Sequence, residues 1–369
     1  MNVLGCAVSF GLGPSGKLSS IISKSLEINN DIKWYGSGDE LDLDIFEENV
    51  FNDICWTKDT NEIKKFVKKN NIELAIDVLD PEIAIILKKI GINVFYIDSL
   101  PFMWTEADLI PFNVDIYFAQ KCVNMNNRAQ KILMNVNNLK WINPIIPDIK
   151  FNDSNVKKYN VVVNLGGMHS PYGDGEEYIK LVVVNLLNEL LKIYKSDQIL
   201  VTCGSKANKS VKNILNQNNV KGIKVKTLKQ IEFLEYVKNC DLFITSPGMT
   251  TIYETCGLDK NTIILPPQNL SQFYNKEFAK KLIKKLKVIE WNKDDLEFEY
   301  IKNFIELGEE KVVEIIYQNI KSALNDENYN LKMKFIIRET LKMNFKGQNI
   351  ITYNENGTNE IVNKIIEKI

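Results

Sequence analysis

Short runs of β-branched and aliphatic residues recur along this chain, and most of them end on glycine, serine, proline or aspartate before a helix-compatible stretch begins. Val3–Phe10 runs into Gly11, Leu74–Val78 into Asp80-Pro81, and Val94–Ile97 into Asp98-Ser99. Ile32–Tyr35, Val50–Trp56 and Ile116–Ala119 read as further short strands, and Leu18–Leu26, Glu62–Lys69 and Pro81–Ile90 as the helices between them. Continuous apolar strands that alternate with amphipathic helices predict a parallel sheet covered on both faces, because each crossover lays a helix against it.

The rhythm restarts after an Asn- and Pro-bearing joint, Asn143–Asn155. Val161–Leu165 ends in Gly166-Gly167, Ile199–Cys203 in Gly204-Ser205, Leu242–Thr245 in Ser246-Pro247-Gly248, and Thr262–Leu265 in Pro266-Pro267. Tyr178–Tyr194 reads as a long amphipathic helix between the first two of these strands, Ile223–Val225 as another strand, and Ile231–Val237 and Thr250–Cys256 as helices. The chain has 369 residues, which at roughly 100–200 residues per domain suits two domains. The expected architecture is α/β: two doubly wound parallel-sheet domains, 1–148 and 149–310, facing a cleft, with a helical C-terminal extension over 311–369. The Gly-rich breaks all fall at strand carboxyl ends, where sheets of this kind bind ligands.

Charge and cysteine usage narrow the function. With 46 Lys+Arg against 47 Asp+Glu the net charge is −1, without the basic excess of a nucleic-acid binder, so no nucleic-acid partner is expected. No apolar run approaches the ~18 residues of a membrane span, and Met1–Gly13 lacks a basic leader, so no transmembrane segment and a cytoplasmic location are expected. The cysteines (Cys6, Cys55, Cys122, Cys203, Cys240, Cys256) are scattered, and the single histidine is His169. That set has no zinc-ligand spacing, so it predicts buried reduced thiols and no metal.

Three segments carry chemistry. Gly11-Leu12-Gly13-Pro14-Ser15-Gly16-Lys17 fits a Gly-x-Gly-x-x-Gly phosphate turn and falls one residue short of a P-loop, since Leu18 stands where a magnesium-binding hydroxyl belongs. A dinucleotide turn, a P-loop variant and simple close packing of strand on helix all remain open for it. Thr245–Glu254 ends a strand in a small-residue turn and starts a helix with hydroxyls, an arrangement that cradles a diphosphate on backbone N–H groups. Helix capping by the same hydroxyls is the competing explanation. Pro266–Asn275, with Gln268 and Gln272, offers amides able to donate to and accept from sugar hydroxyls.

In this order the last two segments resemble the C-terminal domain of GT-B glycosyltransferases, the MurG-like group that uses UDP-sugars. The matching residues are Ser246, Gly248, Thr250, Thr251 and Glu254, then Gln268, Gln272 and Asn275, with Gly166-Gly167 and Gly204-Ser205 at strand ends. The resemblance implies two Rossmann-like domains and a nucleotide-sugar co-substrate, with no other cofactor. Ser246, Gly248, Met249, Thr250 and Thr251 would hold the diphosphate, Glu254 the ribose, and Gln268 and Gln272 the sugar. Gly167, Gly204 and Ser205 would border the donor, with Thr227 near the base. Gly13, Ser15, Gly16 and Lys17 fall at the acceptor-side loop.

That loop lacks the histidine relatives often carry there. The general base is therefore expected among Asp98, Asp80 and Asp77, with His169 contacting donor phosphates or acting as base. Phe102, Met103 and Trp104 are expected to line an acceptor pocket or to be buried. The predicted function is transfer of a sugar from a UDP-sugar to a soluble or carrier-bound acceptor hydroxyl, independent of metal. The partners are that donor and an acceptor, with a homo-oligomer left open. Alternatives are a nucleotide-sugar hydrolase or epimerase, a P-loop or dinucleotide enzyme built on Gly11–Lys17, and an inactive GT-B partner subunit.

Overall fold

The computed structural model describes residues 1–10, 12–39, 51–57, 59–122, 127–146, 159–168, 175–347 and 356–368. The chain divides into two compact units, Met1–Ile149 with Tyr353–Ile369, and Lys150–Thr352.

The first unit holds a seven-stranded sheet: β1 (Asn2–Ala7), β2 (Lys33–Ser37), β3 (Ile54–Cys55), β4 (Leu74–Val78), β5 (Asn93–Asp98), β6 (Ile116–Gln120) and β7 (Leu139–Ile142). Their order is β3-β2-β1-β4-β5-β6-β7, every pairing parallel. The direction of winding reverses between β1 and β4, which makes the sheet doubly wound. Strand periodicity sends alternate residues to opposite faces. Leu74, Ile76 and Val78 pack with Leu18, Ile21 and Ile22 of the Gly13–Ile28 helix, whereas Ala75 and Tyr96 pack with Ile63, Val67, Ile83 and Leu87 on the other face.

The second unit repeats the plan with a six-stranded sheet: β8 (Val161–Asn164), β9 (Ile199–Thr202), β10 (Lys224–Lys226), β11 (Leu242–Thr245), β12 (Asn261–Ile264) and β13 (Leu286–Val288). The order β10-β9-β8-β11-β12-β13 is again all parallel and reverses between β8 and β11. Val161, Val162 and Val163 are fully buried, as a central strand covered on both faces requires. Among the described residues no helix is long and apolar enough to cross a membrane. All six cysteines are free thiols, five of them buried.

The stretch 311–369, which the sequence leaves open as packing on either domain or standing as an appendage, is divided between the two units. The Glu309–Leu324 and Glu327–Lys342 helices belong to the second unit, and the Gly357–Ile366 helix belongs to the first. Ile361, Val362 and Ile365 sit in the same core cluster as Leu18 and Ile21. The apolar stripe at i, i+1 and i+4 therefore serves as the missing cover of the first sheet. The Gly11–Lys17 segment also differs from an open loop. Its described part is helical from Gly13 onward, because Pro14 in the first turn presets helical φ and two glycines do not prevent helix. Sequence periodicity missed β7 and β13, both edge strands that are short and partly exposed.

Candidate donor-binding site

The carboxyl edge of the second sheet, where winding reverses, gathers most of the residues expected to bind a donor. Gly166 and Met168 both take positive φ, +66° and +54°, so the chain turns sharply off β8; glycine meets that requirement at no steric cost. The Gly204 N–H donates to Gly166 O at 3.1 Å, which joins the β8 and β9 turns. Gly204 is also the N-cap of the Ser205–Gln217 helix, with no side-chain cap. Ser205 and Thr227 are exposed. They line a groove of about 600 Å³ together with Asn208, Lys209, Lys212 and Leu228.

The turn after β11 is fixed by its own backbone. Ser246 N–H donates to Asn164 O at 2.9 Å and Gly248 N–H to Ser246 O at 2.7 Å. The Met249–Cys256 helix then begins with Gly248 as N-cap and no side-chain cap. Its first intrahelical bond runs from Ile252 N–H to Gly248 O, 3.0 Å, so the N–H groups of Met249, Thr250 and Thr251 precede the hydrogen-bonded ladder. The N-cap is a glycine, so no side chain caps this start from the N-cap position. Met249 is buried, whereas Gly248, Thr250 and Thr251 are half-buried at the rim. Glu254, one turn further, is half-buried and accepts a hydrogen bond from Gln230 Nε2.

The segment after β12 is more occupied than its amides suggest. Asn269 caps the Leu270–Leu282 helix by accepting from Gln272 N–H at 3.0 Å, and Gln272 Oε1 in return accepts from Gln268 N–H at 3.0 Å. Gln272 therefore spends its carbonyl on a capping arrangement. Gln268 is 3 % exposed, its amide directed at Met168 Sδ (3.4 Å), and its Oε1 is buried with no hydrogen-bond partner among the described residues. Asn275, 2 % exposed, donates to Pro247 O at 3.0 Å and locks this helix to the β11 turn. The Pro266 and Pro267 carbonyls are held by Tyr178 Oη and Trp291 Nε1. Gly167 is half-buried beside Met168, and His169 lies outside the described residues.

The first-unit candidates are placed differently from expectation. Ser15 and Lys17 are buried, at 0 % and 3 % exposure, and Gly16 is buried beside them. Asp98 is 0 % exposed. Its carboxylate accepts from Leu100 N–H (2.8 Å), Trp104 Nε1 (2.7 Å) and Tyr117 Oη (2.8 Å). Burial pushes its pKa up to about 6, against the lowering effect of those donors. Asp98 thus anchors the loop after β5 and presents no oxygen at the surface for an acceptor hydroxyl. Phe102 and Met103 are core residues and Trp104 is half-buried, so this aromatic segment packs inward. Asp77 Oδ1 accepts from Asp80 N–H at 2.9 Å, and Asp80 caps the Pro81–Lys89 helix.

Sequence reasoning missed Asn164 at this sheet edge, inside a run read as uniformly apolar, and Gln230, one residue ahead of the helix read over Ile231–Val237. A lone polar residue at the last position of a buried strand is the signal that marks Asn164.

Comparison with known proteins bears on the fold and on the second unit. Residues 175–334 match the family model of the Glycosyltransferase family 28 C-terminal domain. Among solved structures, UDP-GlcNAc 2-epimerase from Methanocaldococcus jannaschii in complex with UDP-GlcNAc and UDP aligns with a TM-score of 0.57 at 16 % identity, covering 100 % of both chains. The S. aureus MnaA–UDP co-structure aligns at 0.56 and 12 % identity over 100 % of this chain and 96 % of that one. The spinosyn rhamnosyltransferase SpnG aligns at 0.53 and 8 % identity over 100 % of both. No curated protein sequence matches the chain. Fold and match together define the class: two Rossmann-like units of GT-B fold, the second of which carries the match to a glycosyltransferase family 28 C-terminal domain. The stretch that carries the family 28 match contains the β9–β13 strand ends and the Met249–Cys256 and Leu270–Leu282 helices.

Proposed function

We propose that the second unit binds a UDP-sugar and that the chain transfers the sugar to a hydroxyl of an acceptor held by the first unit. The observation that carries this reading is the helix start at Gly248. It has no side-chain cap, sits at the winding reversal of a parallel sheet, and is flanked by the Thr250 and Thr251 hydroxyls. A helix N-terminus stabilises negative charge, and in glycosyl transfer that charge grows on the departing diphosphate as the anomeric carbon–oxygen bond breaks. The acceptor oxygen forms the new bond to that carbon and gives up its proton to a general base, with His169 as the candidate the sequence offers. Glu254 accepts from the ribose hydroxyls, and Gln268 and Gln272 border the sugar. In this reading the helix start and hydroxyls do the work that a metal does in other transferases.

A second reading, epimerisation of the UDP-sugar on the same fold, is supported by the likeness to a structure described as a UDP-GlcNAc 2-epimerase. One assay separates the readings. Purified protein is incubated with a panel of UDP-sugars, with and without candidate acceptors, and UDP release and sugar identity are followed. Transfer gives acceptor-dependent UDP release, hydrolysis gives acceptor-independent release, and epimerisation gives a new UDP-sugar without release. An unchanged panel overturns all three.

A further inference from the structure

We infer that Asn164 is a positioning residue for the donor diphosphate, acting through Thr245 on the turn that presents the Met249–Cys256 helix start. This rests on the donor-site reading above.

The direction of the bonds around Asn164 is unambiguous. Gly166 N–H, which can only donate, reaches Asn164 Oδ1 at 3.1 Å. That fixes the amide's orientation, so Nδ2 faces Thr245 Oγ1 at 3.1 Å as donor. Thr202 Oγ1 completes the carbonyl's second lone pair at 3.2 Å. Because Thr245 Oγ1 accepts from Asn164, its own hydrogen goes to Ser246 O at 2.9 Å. One amide thus ties the ends of β9, β8 and β11, three adjacent strands, and passes that order on to Ser246.

Ser246 O is the decisive atom. The next residue is Pro247, so the Ser246–Pro247 peptide has no N–H, and its carbonyl is its only polar handle. That carbonyl is pinned by Thr245 Oγ1 from one side and by Gly248 N–H at 2.7 Å from the other. Its rotation would swing Gly248 and, with it, the N–H groups that precede the first helical bond. Asn164 is 8 % exposed and Thr245 1 % exposed, so neither is placed to touch a diphosphate. Both act by holding the turn.

Calorimetric titration of the full chain with UDP and with uridine tests this, because the ratio of the two affinities isolates what the phosphates contribute. The variants are N164A and T245V, with T245S as the conservative control that keeps the hydroxyl. The expected result is that N164A and T245V each cut the UDP-to-uridine affinity ratio about tenfold, leave uridine binding nearly unchanged, and that T245S restores the ratio. A purely structural role would lower the melting temperature of both variants while the ratio stayed at the wild-type value, and that result overturns the inference. If the wild-type protein binds UDP no better than uridine, the donor-site reading itself falls.

Discussion

Gln230 Nε2 donates a hydrogen bond to Glu254 Oε1, joining the helix that follows β10 to the helix that follows β11. Gln230 lies in the first turn of its helix, so its short amide reaches across the strand ends and orients one carboxylate oxygen of Glu254. In the proposed site the carboxylate accepts from the ribose.

Replacing Glu254 by alanine is therefore expected to weaken UDP binding by tenfold or more, since a hydrogen bond to a charged group contributes about 1.5–3 kcal/mol. Q230A is expected to cost less, because it frees the carboxylate's orientation without removing it. Titration with UDP and with 2′-deoxy-UDP checks the role, as the E254A loss should shrink for the deoxy ligand. Equal losses on both ligands would place Glu254 away from the ribose.

The C-terminal helix is clamped to the end of the first unit. Glu360 Oε1 accepts from both the backbone N–H and the side-chain amide of Asn143, at 2.8 and 3.0 Å, and Thr358 Oγ1 donates to Ile146 O at 3.1 Å. Gly357 lies so close that a Cβ there would stand 2.0 Å from Asn143 O. G357A is thus expected to destabilise the first unit by about 1–3 kcal/mol or more through overpacking against backbone. E360A is expected to cost about 1 kcal/mol by removing the acceptor of two half-buried donors of Asn143. Urea denaturation followed by tryptophan fluorescence, four of whose five emitters (Trp34, Trp56, Trp104 and Trp141) lie in the first unit, reads both, and a G357A midpoint equal to wild type would contradict the clamp.

Asp98 makes stability pH-dependent. Its pKa is raised from 3.8 to about 6 in the folded chain by burial, so the folded state holds a proton that the unfolded state has released. The contribution is fully present below about pH 4 and is lost as pH rises through about 6, by an order of magnitude of 3 kcal/mol. D98N carries no such titration. The wild-type-minus-D98N difference in unfolding free energy should therefore decline between pH 4 and pH 6 and be flat above pH 7. A difference that rises over that window has the wrong sign for this assignment.

The sheet centres were legible because a strand buried on both faces must be apolar throughout, and Val161–Val163 and Leu74–Val78 are. Edge strands escape that rule. Lys140 and Trp141 of β7 are exposed, so nothing in their alternation stands out from the surrounding Asn-rich chain. The β11 turn was legible for a chemical reason: Ser-Pro-Gly before a hydroxyl-bearing helix start admits few backbone paths. Asp98 was misread because a carboxylate at a strand end looks the same in sequence whether it faces solvent or an indole and a phenol. The placement of the last helix on the first unit depends on which sheet face lacks cover, a long-range fact that no local pattern carries.

The most direct measurement is a crystal structure of the protein soaked with UDP. The account predicts the diphosphate at the N-terminus of the Met249–Cys256 helix, with its oxygens within hydrogen-bonding distance of backbone N–H groups at 249–251 and of the Thr250 and Thr251 hydroxyls. UDP bound instead at the Gly13–Ile28 helix, or a β11 turn left empty at saturating UDP, would contradict it.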